Sequence, residues 1–264
     1  MTINVMTFNL KYDFTNNKDN SWDERAERIE ALIKENKPLV IGTQEGLIHM
    51  LKTLKNLLKE YDFLGEGREG GEEGAENEFN AIFYKKEKLS LINWGQFWLS
   101  KNPKEKGSKS FESSLPRICT WAHFKIKEIN KEFIQYNTHL DHISQKAREE
   151  GIKIILNFIK RTYKENNIPY MLMGDFNCYK ENEIFKIMKE WEEKQIILKN
   201  SYDEALNDVV CTFHEFKGGF EGGIIDYILF SKEFKINSVK VDSRKIKGGY
   251  PSDHYPVICN ISLD

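Results

Sequence analysis

Ten apolar runs of strand length, distributed along the whole chain, limit what this sequence can fold into more than any other feature. They cover residues 3–10, 39–43, 79–84, 89–94, 118–126, 132–139, 169–174, 224–230, 236–241 and 255–261. Between them lie four stretches whose apolar side chains recur at helical spacing. These are Ala26, Ile29 and Ile33; Leu47, Met50, Leu51, Leu54 and Leu58; Ile152, Ile155, Ile159 and Tyr163; and Ile184, Phe185, Met188 and Trp191. The first helix is expected to start at Ser21 or Asp23 and to stop before Pro38. Surface loops are expected at 65–77, 102–116 and 217–223, where Gly, Glu, Lys, Ser and Pro accumulate. No linker and no internal repeat divides the pattern. The expectation is one α/β domain over residues 1–264, with strands enough for two sheets.

Composition narrows the class. The 264 residues are 40% hydrophobic and 12% aromatic, which excludes wholesale disorder. No apolar run approaches the roughly 20 residues of a membrane span, and no signal sequence precedes the first strand, so a soluble, cytoplasmic protein is expected. The 39 Lys and Arg balance 41 Asp and Glu, without the basic excess of a dedicated binder of long nucleic acid. Only seven of the basic residues are Arg, so each merits inspection. Cys119, Cys178, Cys211 and Cys259 are scattered, with no zinc-like spacing, and are read as reduced packing residues.

Chemistry is expected where polar residues interrupt the apolar runs. Asn9, Glu45, His139, Asp175 with Asn177, Asp226, and Asp253 with His254 all stand at or beside a strand terminus. A carboxylate there bears a desolvation cost unless a positive group offsets it. Singly, each is better explained by a turn or a helix cap; together they point to one charged cleft. Oxygen donors without thiolate suit Mg²⁺, or Mn²⁺ as the alternative, better than zinc.

The same residues carry a resemblance. Thr7-Phe8-Asn9, Gln44-Glu45, Asn137-Thr138-His139-Leu140-Asp141-His142, Gly174-Asp175-Phe176-Asn177, Ile225-Asp226-Tyr227-Ile228 and Pro251-Ser252-Asp253-His254-Tyr255-Pro256-Val257 follow one another in that order. In this the chain resembles the endonuclease/exonuclease/phosphatase superfamily over residues 3 to 261. It is most similar to a bacterial subfamily with Trp22-Asp23-Glu24-Arg25, Phe97-Trp98-Leu99-Ser100 and Pro116-Arg117-Ile118-Cys119-Thr120-Trp121-Ala122. The resemblance implies a four-layer α/β sandwich, two packed, mostly antiparallel sheets flanked by helices.

It also implies roles. Glu45 is the expected principal metal ligand, with Asn9 and Asp253 in or beside its shell. Asp175 would orient or activate water, and Asn177 would donate to a phosphate oxygen. His254, paired with Asp226, and His139 would contact the scissile phosphate, with either His254 or Asp175 as the base. Glu78 would pair with His139, the alternative being an exposed loop Glu. Arg117 is read as a phosphate contact rather than a plain ion pair. His142 and Arg148 would read a substrate or leaving group, with a capping or salt-bridge role as the alternative.

The expected activity is divalent-metal-dependent hydrolysis of a phosphate ester, above all a phosphodiester, by in-line attack of an activated water. No covalent intermediate is expected, since no Ser or Cys stands in a nucleophile motif. A small molecule or lipid headgroup is favoured over long nucleic acid, with a DNA or RNA nuclease as the alternative. His49, His123 and His214 are read as surface or satisfied core residues, Trp22, Trp94, Trp98 and Trp121 as packing residues, and the Arg68 loop as a cleft wall.

Overall fold

The computed structural model describes residues 1–13, 20–71, 74, 77–204 and 211–263. Part of the expected loop at 65–77 lies outside the described residues. Among the described residues, twelve strands form two sheets of six. The first sheet takes β1 (Thr2–Asn9), β2 (Val40–Gln44), β3 (Tyr61–Leu64), β4 (Ile82–Lys85), β11 (Phe234–Val241) and β12 (Val257–Leu263), in the order β11-β12-β1-β2-β4-β3. The second takes β5 (Leu89–Trp98), β6 (Ile118–Ile126), β7 (Lys131–His139), β8 (Tyr170–Asp175), β9 (Lys199–Asn200) and β10 (Asp226–Phe230), in the order β5-β6-β7-β8-β10-β9. Each sheet holds one parallel pair at its centre, β1 with β2 and β7 with β8. All other pairings are antiparallel.

Strand periodicity builds the layers. Along β1, Ile3 and Val5 face the second sheet while Met6 and Phe8 face the helices, as side chains of a pleated strand must alternate. The inter-sheet core joins Val5, Val40, Phe124, Phe133, Met173 and Ile228. Helices α1 (Trp22–Asn36) and α2 (Ile48–Leu57) cover the outer face of the first sheet; α3 (Gln145–Asn166) and α4 (Glu183–Glu190) cover that of the second. This is the expected four-layer order. The helix ends follow local chemistry: Ser144 Oγ accepts from the Ala147 N–H to start α3, and Lys37, left-handed at φ 48°, ends α1 before Pro38. Ser21 is the N-cap of α1, without a side-chain bond.

Several boundaries differ from expectation. Strand β4 starts at Ile82 rather than 79, because Phe79 makes isolated bridges to Gly46 and Gly67. Strand β5 runs on to Trp98, and β10 starts only at Asp226. Trp94, read as a packing residue, is exposed on edge strand β5, whereas Trp22 and Trp98 are buried. No helix among the described residues is long and apolar enough to cross a membrane.

Candidate active site

The alternation that buries Ile3 and Val5 between the sheets also sets Asn9, at the end of β1, on that inner face. The same parity carries Gln44 at the end of β2, His139 at the end of β7, Asp175 at the end of β8 and Asp226 at the start of β10. Register does the rest. Asp175 is the Cα partner of His139 on one side and of Asp226 on the other, and Asn9 pairs with Gln44. Both parallel pairs thus deliver their C-terminal ends to one cleft. Gly174 lets β8 approach β7 there, since a Cβ would stand 1.8 Å from the Thr138 carbonyl oxygen.

Asn9 clamps the two sheets. Its Nδ2 donates to Glu45 Oε1 at 2.9 Å and to Asp175 Oδ2 at 3.0 Å, while its Oδ1 accepts from the Lys11 N–H. Glu45, in the left-handed region at φ 58°, also accepts from the Tyr12 N–H at 3.2 Å. Lys11 Nζ lies 3.8 Å from Glu45 Oε2 and 3.4 Å from Asp253 Oδ2, a cation between two of the expected metal ligands. Burial would raise the Glu45 carboxyl, but Lys11, His254 and the bonds from Asn9 and Tyr12 hold it below the usual carboxylate range. Ser252 fixes the last loop by donating to the Asn9 carbonyl at 2.7 Å.

Two histidines face one oxygen. His139 Nε2 lies 3.5 Å and His254 Nε2 3.8 Å from Asp175 Oδ2. Their environments differ. Burial lowers both, but His254 Nδ1 is 2.8 Å from Asp226 Oδ2, and that carboxylate carries the ring up to about 10. His139 instead faces Arg117, His254 and Arg68, which deepen the effect of burial. Asp175 is pushed up by burial and by Asp226. Asn177, left-handed at φ 51°, donates its backbone N–H to Asp175 Oδ1 and one side-chain N–H to the Leu140 carbonyl.

The donor set fits a hard divalent cation. Glu45, His139 and Asp175 each offer an atom within 4.8 Å of the others, as do Asp175, Asp226 and His254. Asp226 Oδ1 is buried without a hydrogen-bond partner. Glu45, with Asp253 beside it across Lys11, could hold such an ion; Asn9 serves as the clamp, its oxygen already engaged.

Arg117, Asp141 and His142 stand together beside the cleft. Asp141 is buried and accepts from both Ser113 and Ser114 hydroxyls, from the Ser114, Ile143 and Ser144 N–H groups, and from Arg117 Nε at 3.4 Å. Arg117 Nη2 lies 2.8 Å from Nδ1 of exposed His142. Two expectations need correction. Glu78 does not pair with His139: its Oε2 accepts from Arg68 Nη1 at 2.7 Å, and burial raises it to about 7. Arg148 is turned inward, donating to the Asp141 carbonyl at 2.7 Å and to Gln145 Oε1 at 2.8 Å, the structural alternative rather than a substrate contact. Arg68, Glu78, Arg117 and His139 still line one small cavity, so the Arg68 loop does form a cleft wall.

Sequence reasoning missed three contributors. Arg25 is fully buried and donates to the carbonyls of Asn20, Leu10, Lys11 and Tyr12, pinning the loop that carries Lys11 and Tyr12 to Glu45. Its signal was a charge in phase with the apolar face of α1. Gln44 and Asn137 join across the sheets at 2.7 Å, and Asn137 also donates to the Thr43 and Ala81 carbonyls. The remaining readings stand close to expectation. The four cysteines are buried free thiols, and His49 and His123 pair with Asp13 and Glu132. His214 is buried and stacks on Tyr255, but it is only half satisfied: its Nδ1 accepts from the Gly218 N–H at 3.2 Å while its Nε2 has no hydrogen-bond partner among the described residues. Trp98 donates to the Arg68 carbonyl at 2.6 Å.

Comparison with known proteins agrees with this fold. The model of the Endonuclease/Exonuclease/phosphatase family matches residues 6–254. An endonuclease/exonuclease/phosphatase from Bacteroides vulgatus is similar at 29% identity and a TM-score of 0.91, over 100% of both chains. A mannosyl-6-phosphatase of Bacteroides thetaiotaomicron is similar at 31% identity and a TM-score of 0.89, over 99% of this chain and 100% of that one. The human Nocturnin catalytic domain shares the fold at 20% identity and a TM-score of 0.78, over 100% of this chain and 95% of its own. No curated protein matches by sequence.

Proposed function

The chain belongs to the endonuclease/exonuclease/phosphatase family, and on that premise we propose that it hydrolyses the phosphate ester of a small molecule with a divalent metal. The carrying observation is the convergence of Asn9, His139 and His254 on Asp175 Oδ2, with Glu45 held to the same clamp. The metal, Mg²⁺ with Mn²⁺ as the alternative, would be held by Glu45 with Asp253 and Asn9 beside it, and would neutralise charge developing on the phosphoryl group. Asp175 orients the attacking water and takes its proton. His254, its ring fixed by Asp226, donates to a phosphoryl oxygen, as does the free N–H of Asn177. His139 and Arg117 stand on the phosphate side, with His142 beyond Arg117 at the substrate.

A phosphodiester or lipid headgroup is the first reading, because a near-neutral chain suits a small substrate better than long nucleic acid. A sugar phosphomonoester is the second, supported by the likeness to a mannosyl-6-phosphatase. The test is hydrolysis of bis(p-nitrophenyl) phosphate, p-nitrophenyl phosphate, mannose 6-phosphate and plasmid DNA, with EDTA, Mg²⁺ or Mn²⁺. The His254→Ala variant is the control. Diester turnover alone supports the first reading and monoester turnover the second. DNA nicking that His254→Ala abolishes replaces both with a nuclease. An active His254→Ala enzyme refutes the site.

A further inference from the structure

A second cavity lies away from the catalytic cleft, on the face of the second sheet turned toward α3. Its volume is about 920 Å³, within the range of small-molecule sites. Phe97 from β5, Trp121 from β6 and Phe158 from α3 form an aromatic wall. Phe97 and Phe158 stack with centroids 4.4 Å apart, and Trp121 tilts against Phe158 at 5.9 Å. Gly95 is the floor beneath the indole, for a Cβ there would come within 3.0 Å of Trp121 Nε1. No residue of the catalytic cleft lines this cavity.

Its rim is predominantly basic. Lys101, Lys104 and Arg161 border it, against the single acid Glu105. None of the three cations has a carboxylate partner among the described residues, and Arg161 lies over the Phe158 ring at 5.3 Å. Glu105 is engaged by Asn102 Nδ2 at 2.9 Å. An apolar slot with aromatic walls takes a flat ring, and a rim of unpaired cations takes a negative charge.

From this we infer that the cavity is a second binding site, for a small aromatic anion: a ring system carrying a carboxylate, sulfonate or phosphate. The ring lies against Trp121 and Phe158, and the anionic group sits between Lys104 and Arg161.

The test titrates the full chain with 8-anilinonaphthalene-1-sulfonate and with its uncharged counterpart N-phenyl-1-naphthylamine, read by probe fluorescence and by energy transfer from tryptophan. The expected result is one-to-one, saturable binding of the sulfonate, roughly tenfold tighter than the neutral ring and weakened by salt. The exposed pair Lys104→Glu and Arg161→Glu, introduced together, should remove that difference and leave the neutral probe and the melting temperature unchanged. A preference for the sulfonate over the neutral ring that survives the double substitution overturns the inference, as does absence of saturable binding. So does competition by inorganic phosphate that is lost in His254→Ala, which would move the probe into the catalytic cleft.

Discussion

Asp226 Oδ2 stands 2.8 Å from Nδ1 of His254, and the other oxygen of the same carboxylate is buried without a partner. The pair fixes which face of the imidazole turns to the cleft and holds its charge. Asp226→Asn keeps the shape but removes the anion. Turnover is expected to fall by about 10²–10⁴-fold, the range for a positioned acid–base group, with the melting temperature nearly unchanged. Wild-type initial rates for Asp226→Asn on the substrate the enzyme hydrolyses would refute the pairing.

The metal prediction separates activity from folding. The fold has hydrophobic packing of its own between the sheets and beneath the helices. EDTA should therefore abolish hydrolysis while circular dichroism still reports a folded chain. Glu45→Gln should raise the metal concentration needed for half-maximal rate by about tenfold or more, by loss of one charged ligand. An EDTA-treated enzyme at full rate would remove the metal from the mechanism.

What the sequence made legible follows from periodicity. Strand β6 runs from Ile118 to Ile126, the expected bounds, because its inward and outward residues alternate without interruption. Strand β3 was not legible: four residues with Asp62 among them carry too little pattern, and the two residues of β9 carry none. In the cleft, residues that end apolar runs were readable because strand parity places them. Partners that meet through loops were not. Arg68 meets Glu78, ten residues along the chain, through a backbone bond and an ion pair outside the strands, and Lys11 stands between Glu45 and Asp253 only because three loops converge.

Asp141 links stability to pH. Burial acts to raise its carboxyl, but bonds from Ser114, Ser144 and Ile143, together with Arg117, hold it well below the usual range. A depressed folded value means its contribution is complete above the ordinary aspartate pKa near 4 and is lost as pH falls below it. Asp141→Asn should cost about 2 kcal/mol near pH 7, from hydrogen bonds to a buried charge. The gap in melting temperature between the two proteins should narrow below about pH 4. A gap constant from pH 7 to pH 3 would contradict the assignment.

Arg25 tests whether a buried side chain outside the cleft sets the cleft's metal demand. Its guanidinium serves the carbonyls of Leu10, Lys11, Tyr12 and Asn20, with contacts at 2.9 Å to Asn20 and Lys11 and at 3.3 Å to Tyr12. A lysine there has one ammonium and cannot span them, so some buried carbonyls would lose their donors. Arg25→Lys should destabilise the chain by about 1–3 kcal/mol, the cost of unsatisfied buried polar groups. The loosened loop would also release the Tyr12 N–H from Glu45 and shift Lys11. A merely structural role would lower the melting temperature and leave the metal requirement alone. A positioning role moves both: the half-saturating metal concentration should rise severalfold, and excess metal should restore most of the rate. Measuring rate against metal concentration well below the variant's melting temperature distinguishes the two, because there the chain is folded and only the geometry of Glu45 has changed.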